Sequence, residues 1–543
     1  MSQGGDDYEQ ALQLLPKIIS AKIGEVAPKT ESISTGCLCR VPEDLRKLKE
    51  NAYTPQLIAI GPLHQNDKHL QTPMQEVKKS YANHLLHRLI EGIEDPEVAE
   101  RTKFTLFQEC EAEMKLSIDK AEECYAEDVT LDEQMMLVDG CFILELLYRF
   151  YELRHIHEEE DEEEEEHLPH LHLLCHPIYR YHQQDLMQRA YKERERATNR
   201  MTRMQRPLRG ERDRKISSRT KTSDPIFDSK LTAAIVKNDL LLFENQIPFF
   251  VLEKLFRLTV ERIPNNHDHK LSLTDYVSLY FGNIIMCPEE NSTNSSTARA
   301  RCGSQSDTVL EIFGNKMRSY GEDEVLNSNG SYYHILHKLH QDYRPNNPDD
   351  QIEMNELLEL MPSATELNYA GVKFVPGAGK DLFKVKFTEP EGPFWWCHGA
   401  HFEIPTLGIH DPTELFLRNL IAFEQCCPGV SQHFTSYAFL MDMLVNSARD
   451  VKLLDKARVV SNYLGGTEDT MDLFDNLCKE VILGEFFFAD TCNRAIEYSE
   501  RFWQKNLRGV KRTYFDHPWM FIAFCLGVIP FGMTVVSLVK SFL

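Results

Sequence analysis

Trp519–Val539 reads WMFIAFCLGVIPFGMTVVSLV, 21 residues without a charge. A helix rises about 1.5 Å per residue, so a segment of this length extends over about 30 Å, the hydrocarbon thickness of a bilayer. An apolar-all-round helix must be wrapped by protein or by lipid. Gly527, Pro530 and Gly532 weaken a helix in a protein core, whereas membrane helices tolerate them. Trp519 suits an interfacial aromatic, and Arg508, Lys511 and Arg512 precede it. The run therefore predicts one C-terminal transmembrane helix at 519–539 in a single-pass protein of the plasma membrane or an endomembrane. The basic flank favours a cytosolic body. The sequons at Asn291, Asn294 and Asn329 point the other way.

More than 500 of the 543 residues lie outside that run, enough for one large or two ordinary domains. Residues 1–30 show no basic start followed by an apolar core, so no secretory leader is expected. A net charge of −24 argues against general affinity for nucleic acid. The 14 cysteines include no Cys-x-x-Cys pair, which removes the main signal for a zinc ribbon or a thioredoxin-type site. Cys37 and Cys39 are too close in sequence to form an easy internal disulfide, as are Cys426 and Cys427, and a reducing compartment fits this usage.

Residues 1–35 read as a flexible leader. The first ordered part, 36–154, holds helical patterns at Gln75–Ile90 and Leu131–Leu153. Residues 155–225 form a charged low-complexity insert. Glu158–Glu166 is an unbroken acidic run, and Gln188–Lys221 then carries 13 Lys/Arg against four acids. Such blocks repel and stay solvated. The second ordered part, 226–510, opens with Leu240–Asn245, a break at Pro248 and a helix at Phe249–Leu258. Apolar runs either side of Pro376-Gly-Ala-Gly379 predict a hairpin over Lys373–Phe387, with a third strand at Phe402–Ile409. Asp411-Pro412-Thr413-Glu414 predicts a helix start, with Asp411 as cap and Glu414 completing a capping box. Further helices are expected at Ser436–Val445, Asp450–Val460, Thr467–Glu480 and Asp490–Leu507. The fold class is mainly α-helical with a small β-hairpin or sheet element, in a large single or bipartite globular body, plus the C-terminal transmembrane helix.

Candidate chemistry is sparse. Val375–Lys380 looks like a phosphate loop, but the first glycine of that motif would fall on Phe374, and Asp381 replaces the Ser or Thr after Lys380. His167, His170, His172, His176 and His182 flank the acidic run, but Pro169 and Pro177 deny them a fixed geometry, so no metal site is expected. Cys397, His398 and His401 follow Trp395-Trp396 and would serve a hydrolase or transferase. Adjacent strand residues point to opposite faces, so Cys397 and His398 are badly placed to pair. Catalytic, cofactor and metal residues are therefore expected to be none. A nuclear or RNA-linked role for the basic part of the insert is a further alternative, weakened by the lack of aromatics between Lys192 and Lys221.

Several segments together resemble the plant DUF247 family. They are Arg40-Val-Pro42 with Leu45-Arg46, Asn51-Ala-Tyr-Thr-Pro55, Ile60-Gly-Pro-Leu-His64, Met135–Glu145, Asp239–Phe250, Ala364–Leu367, Ala370–Phe374, Ile404–Gln425, Met441–Val451 and Tyr514–Trp519. The chain departs from the family's usual pattern after Ile60-Gly-Pro62 and in the long charged insert. Asp139, Glu244 and Asn245 sit among apolar neighbours and are expected to hydrogen-bond buried backbone. The resemblance implies a non-enzymatic membrane-anchored recognition or signalling protein. Some grass members of the family are pollen-side self-incompatibility determinants. The implied partners are the membrane, a small secreted protein or peptide and another family member, with no nucleic acid.

Overall fold

The computed structural model describes residues 37–161, 224–264, 271–282, 284–285, 332–344, 360–377, 381–390, 399–464, 466–501 and 518–542. The leader, nearly all of the charged insert, the three sequons, Cys397 and His398, and Arg508, Lys511 and Arg512 lie outside them.

A short helix α1 (Glu43–Leu48) opens the fold, followed by α2 (Met74–Arg88), α3 (Pro96–Glu122) and α4 (Glu133–Asp161). Next come α5 (Lys230–Asp239), α6 (Phe249–Leu258), α7 (Leu273–Phe281), α8 (Ile335–Asp342) and α9 (Ala364–Tyr369). Strands β1 (Lys373–Pro376), β2 (Lys386–Thr388), β3 (His401–Ile404) and β4 (Leu407–Ile409) lead into α10 (Asp411–Cys426), α11 (His433–Leu444) and α12 (Ala448–Lys456). After β5 (Val460–Asn462) the chain forms α13 (Thr467–Leu477), α14 (Ala489–Glu500) and α15 (Pro518–Phe542).

Helix α4 is buried on most sides because α2, α3, α6 and α7 all pack on it. Met136, Phe142, Ile143 and Leu146 are almost fully enclosed. Tyr81 of α2 meets Phe142 with ring centroids 5.4 Å apart, a tilted contact that adds to the area buried. In the later half α10 takes the same place, with α8, α11 and α13 around Phe416, Leu420 and Phe423. One hydrophobic core runs continuously from Cys37 to Tyr498. The mainly helical expectation holds, and α6 starts and ends where Pro248 and Leu258 placed it.

The hairpin expectation does not hold. Strands β1 and β2 do not pair with each other; β3 lies between them, parallel to β1 and antiparallel to β2. Phe402 faces Phe374 on one side and Phe387 on the other, at 5.6 and 5.7 Å between ring centroids. Three aromatics on one face of the sheet favour this register over a local turn. The expected third strand also divides. Pro405 has no N–H to donate, so pairing stops at Ile404, and the chain re-forms as β4 in a second, two-stranded sheet with β5. Helix α10 begins at Asp411, so its cap falls one residue earlier than expected. His410 is the cap, its N–H donates to Thr413 Oγ1 at 2.9 Å, and Glu414 turns instead to Arg418 and Lys49.

The C-terminal run lies in α15, with Pro530 inside the helix. Among the described residues no helix is long and apolar enough to cross a membrane, so the transmembrane helix expected at 519–539 is withdrawn.

Candidate functional site

Several of the segments that carry the family resemblance, those at 40–46, 51–64, 135–145, 239–250 and 404–425, meet at one buried polar junction. Its centre is Glu244, in the loop between α5 and α6, with its side chain fully buried. Pro248 ends that loop by preventing α5 from continuing into α6. The Val41 amide donates to Glu244 Oε1 at 2.6 Å, and the Arg46 guanidinium donates to the same oxygen. His64 Nε2 lies 3.1 Å from Oε2, and His64 Nδ1 lies 2.8 Å from Asp67 Oδ2. The first of these approaches is off-line and does not make a well-formed hydrogen bond. Burial works to raise the Glu244 carboxyl, but His64, the Val41 amide and Arg46 outweigh it and hold the group below its ordinary value.

Three neighbours extend the junction. Asp239, the last residue of α5, accepts from the amides of Gln56, Leu57 and Ile58 at 2.8, 2.8 and 2.9 Å. Burial pushes its carboxyl up to about 6, and those amides limit the rise. Asn245 accepts from the Ile60 amide at 2.6 Å and donates to Ile58 O and Asp239 O. Asp139 of α4 accepts from Gly61 N at 2.9 Å and pairs with the buried Lys78. Burial raises Asp139, with Lys78 and the Gly61 amide opposing the rise. Asn419 of α10 then ties the two halves, accepting from Phe243 N and donating to Ala52 O, both at 2.8 Å.

Segment 41–64 has little regular structure, so its amides need partners other than a helix or strand ladder. The junction supplies them from side chains about 80 to 200 positions away. Asp139, Glu244 and Asn245 take the expected backbone bonds. Chemically the arrangement is a rigid frame: each of its carboxylates is met by main-chain amides, and Glu244 and Asp139 by cations as well.

A second buried cluster was not foreseen. His334, His337 and His340 recur at helical spacing along α8 and its cap. His340 Nε2 lies 2.8 Å from Glu424 Oε1, both side chains fully buried. Glu424 accepts from Phe434 N and Thr435 N at 2.9 and 2.7 Å, which caps α11. His334 Nδ1 accepts from His337 N, and His337 Nδ1 accepts from Tyr333 N. The His-x-x-His-x-x-His spacing was the available signal. Among the described residues no group of three or more His, Cys, Asp or Glu is placed to hold a metal ion.

Of the enzyme candidates, His401 opens β3 with an exposed side chain, in register with Lys373 and Thr388. Cys397 and His398 fall outside the described residues, as do His167, His170, His172, His176 and His182. Strand β1 ends at Pro376, so Val375 belongs to the sheet and not to a loop.

The sequence model of DUF247, described as a plant protein of unknown function, matches residues 38–533. The UPF0481 protein At3g47200 of Arabidopsis thaliana is 22% identical over 509 residues, covering 92% of this chain and 85% of that protein. The putative UPF0481 protein At3g02645, also of Arabidopsis thaliana, is 28% identical over 181 residues, a third of each chain. No solved structure matches. The matched range takes in the whole polar junction, and the chain belongs to the DUF247 family of plant proteins.

Proposed function

We propose that this chain is a non-enzymatic recognition or signalling protein that binds a small basic protein or peptide, and in its most specific form a pollen-side determinant of self-recognition acting with a second family member. The observation that carries the reading is the direction of the motif polar groups. Asp139, Asp239, Glu244, Asn245 and Asn419 all turn inward onto the chain's own main chain. The motifs thus read as a frame, which leaves recognition to the outer surface. That surface is acidic on a chain of net charge −24, with Glu97, Glu100, Glu109, Glu111 and Asp119 exposed on α3. An acidic surface steers a cationic partner into encounter and selects against acidic ones.

The test is genetic. Pollen lacking the gene is placed on self stigmas, then rescued with the wild-type chain or with a Cys397→Ala/His398→Ala/His401→Ala variant. Altered growth of self pollen tubes, restored equally by both chains, is the expected result. Unchanged growth in the absence of the gene removes the pollen role. A variant that accumulates normally but fails to rescue favours the hydrolase or transferase alternative.

A further inference from the structure

The cysteines that are too close in sequence to bridge internally face each other across the fold. Cys37, Leu38 and Cys39 form an extended segment. Leu38 N donates to Cys124 O at 3.0 Å, and Ala126 N donates to Leu38 O at 2.9 Å, so this stretch is pinned to the loop after α3. Side chains alternate along an extended chain, which puts positions 37 and 39 on one side. That side meets the end of α10, where Cys426 is the last helical residue and Cys427 the cap. Cys427 Sγ donates to Cys37 O at 3.3 Å across 390 positions of sequence. Cys37 thus has Cys427 as its neighbour, and Cys39 has Cys426 as its interaction partner beside them. The inner pair is buried and the outer pair half-buried.

We infer that these four residues are a two-rung redox latch, in which Cys39–Cys426 and Cys37–Cys427 disulfides reversibly fasten segment 37–40 to the end of α10. With Cys427 Sγ already 3.3 Å from the Cys37 carbonyl, the facing thiols can close to the roughly 2 Å of a disulfide by side-chain rotation. The oxidant is a low-molecular-weight disulfide. One thiolate of the outer pair attacks it, forming a mixed disulfide and releasing one small thiol. Its partner thiolate then displaces the second small thiol. Two protein thiols and one external disulfide thus become one protein disulfide and two external thiols, each taking a proton the protein gave up. The inner pair follows by the same exchange. The hydrogen bond from Cys39 draws Cys426 below the ordinary thiol value against the effect of burial, which favours it as the first attacker.

The test uses the full chain, equilibrated with oxidised and reduced glutathione in a range of ratios, quenched with acid, alkylated with N-ethylmaleimide and digested. The expected product is the peptide holding Cys37 and Cys39 joined to the peptide holding Cys426 and Cys427, four hydrogens lighter than their sum and separated by reductant. Connectivity follows from double variants. Cys37→Ser/Cys427→Ser and Cys39→Ser/Cys426→Ser each keep one cross-link, whereas Cys37→Ser/Cys426→Ser loses it. The oxidised wild type also unfolds at a higher temperature than the reduced one, and dithiothreitol reverses the shift. Full alkylation of all four thiols in oxidised, folded wild type overturns the latch, as does a bond within either cysteine pair of neighbours. One rung alone overturns the assignment of the other. These wild-type outcomes decide the matter even where a serine variant does not fold.

Discussion

Glu244 accepts the Val41 amide at 2.6 Å across 203 positions of chain, and the same carboxylate neutralises Arg46. An acid so placed fixes where the first segment docks. Glu244→Gln keeps the shape and removes the charge, leaving Arg46 without its buried counter-ion. Breaking a buried pair in this way costs about 3 kcal/mol. Urea denaturation followed by circular dichroism should show that loss. Pairing the change with Arg46→Met should recover part of it, and independent, additive effects of the two changes would contradict the pairing.

How far the chain could be read in advance depended on how local each signal was. Pro248 and Asp411-Pro412 are local stop and start signals, and α6 and α10 follow them closely. The long helix α3 escaped notice because much of it faces solvent and its apolar positions are few, although Asp95-Pro96 is a cap signal: Asp95 accepts from Glu97 N at 2.9 Å. The β1–β3–β2 order was out of reach, since a glycine-rich turn says nothing of a third strand inserted later. The partners of Asp239 and Glu244 lie about 180 to 200 positions away, so sequence marked them only as polar residues among apolar ones. The spacing of Cys426 and Cys427 excludes a bond between the two but does not reveal Cys37 and Cys39 opposite them, because spacing along a chain carries no record of what faces it.

Asp239→Asn tests the frame independently. One carboxylate oxygen serves Gln56 N and the other serves Leu57 N and Ile58 N. An amide offers one acceptor and turns a donor toward at least one of these amides. The expected destabilisation is about 2 kcal/mol. Hydrogen exchange should show it first as faster exchange at Gln56, Leu57 and Ile58, and unchanged protection there would refute the bracket.

Gly61 has φ +72°, and a Cβ there would stand 2.6 Å from Gln246 O and 3.1 Å from the Tyr125 hydroxyl. Both the left-handed backbone and the main-chain clash oppose any side chain. Gly61→Ala should destabilise by about 3 kcal/mol or prevent accumulation of folded protein. Gly140→Ala in α4 meets only the tip of Leu255, at 2.3 Å, and should cost less, about 1–2 kcal/mol. Thermal midpoints of the two variants should therefore rank Gly61→Ala below Gly140→Ala, and the reverse order would argue against the main-chain contact.

The histidines of α8 predict acid sensitivity. Burial lowers His334 well below its ordinary value, with the nearby His337 and His340 adding to the effect. Burial, then the charges of His340 and Arg344, bring His337 down to about 4. Burial, then Arg344 and His340, do the same for His433. His334 and His337 also use Nδ1 as an acceptor of main-chain N–H, so protonation there would break a bond as well as bury a charge. The unfolded chain takes up these protons near pH 6.5 and the fold does not. Their stabilisation is therefore present above pH 6.5 and lost as pH falls to about 4, at about 3 kcal/mol for His337 alone. Asp239 acts in the opposite sense: its carboxyl, raised to about 6, binds a proton in the fold before the unfolded chain does. Asp139, Glu152 and Asp442, also raised by burial, act with it and offset part of the loss from the three histidines, while Glu244, held below its ordinary value, adds a further loss at lower pH. Denaturation midpoints should fall steadily from pH 7.5 to pH 4.5, and His337→Gln, whose amide oxygen can still accept from Tyr333 N, should flatten that slope. A wild-type midpoint independent of pH over this range would show that the histidines are not held neutral.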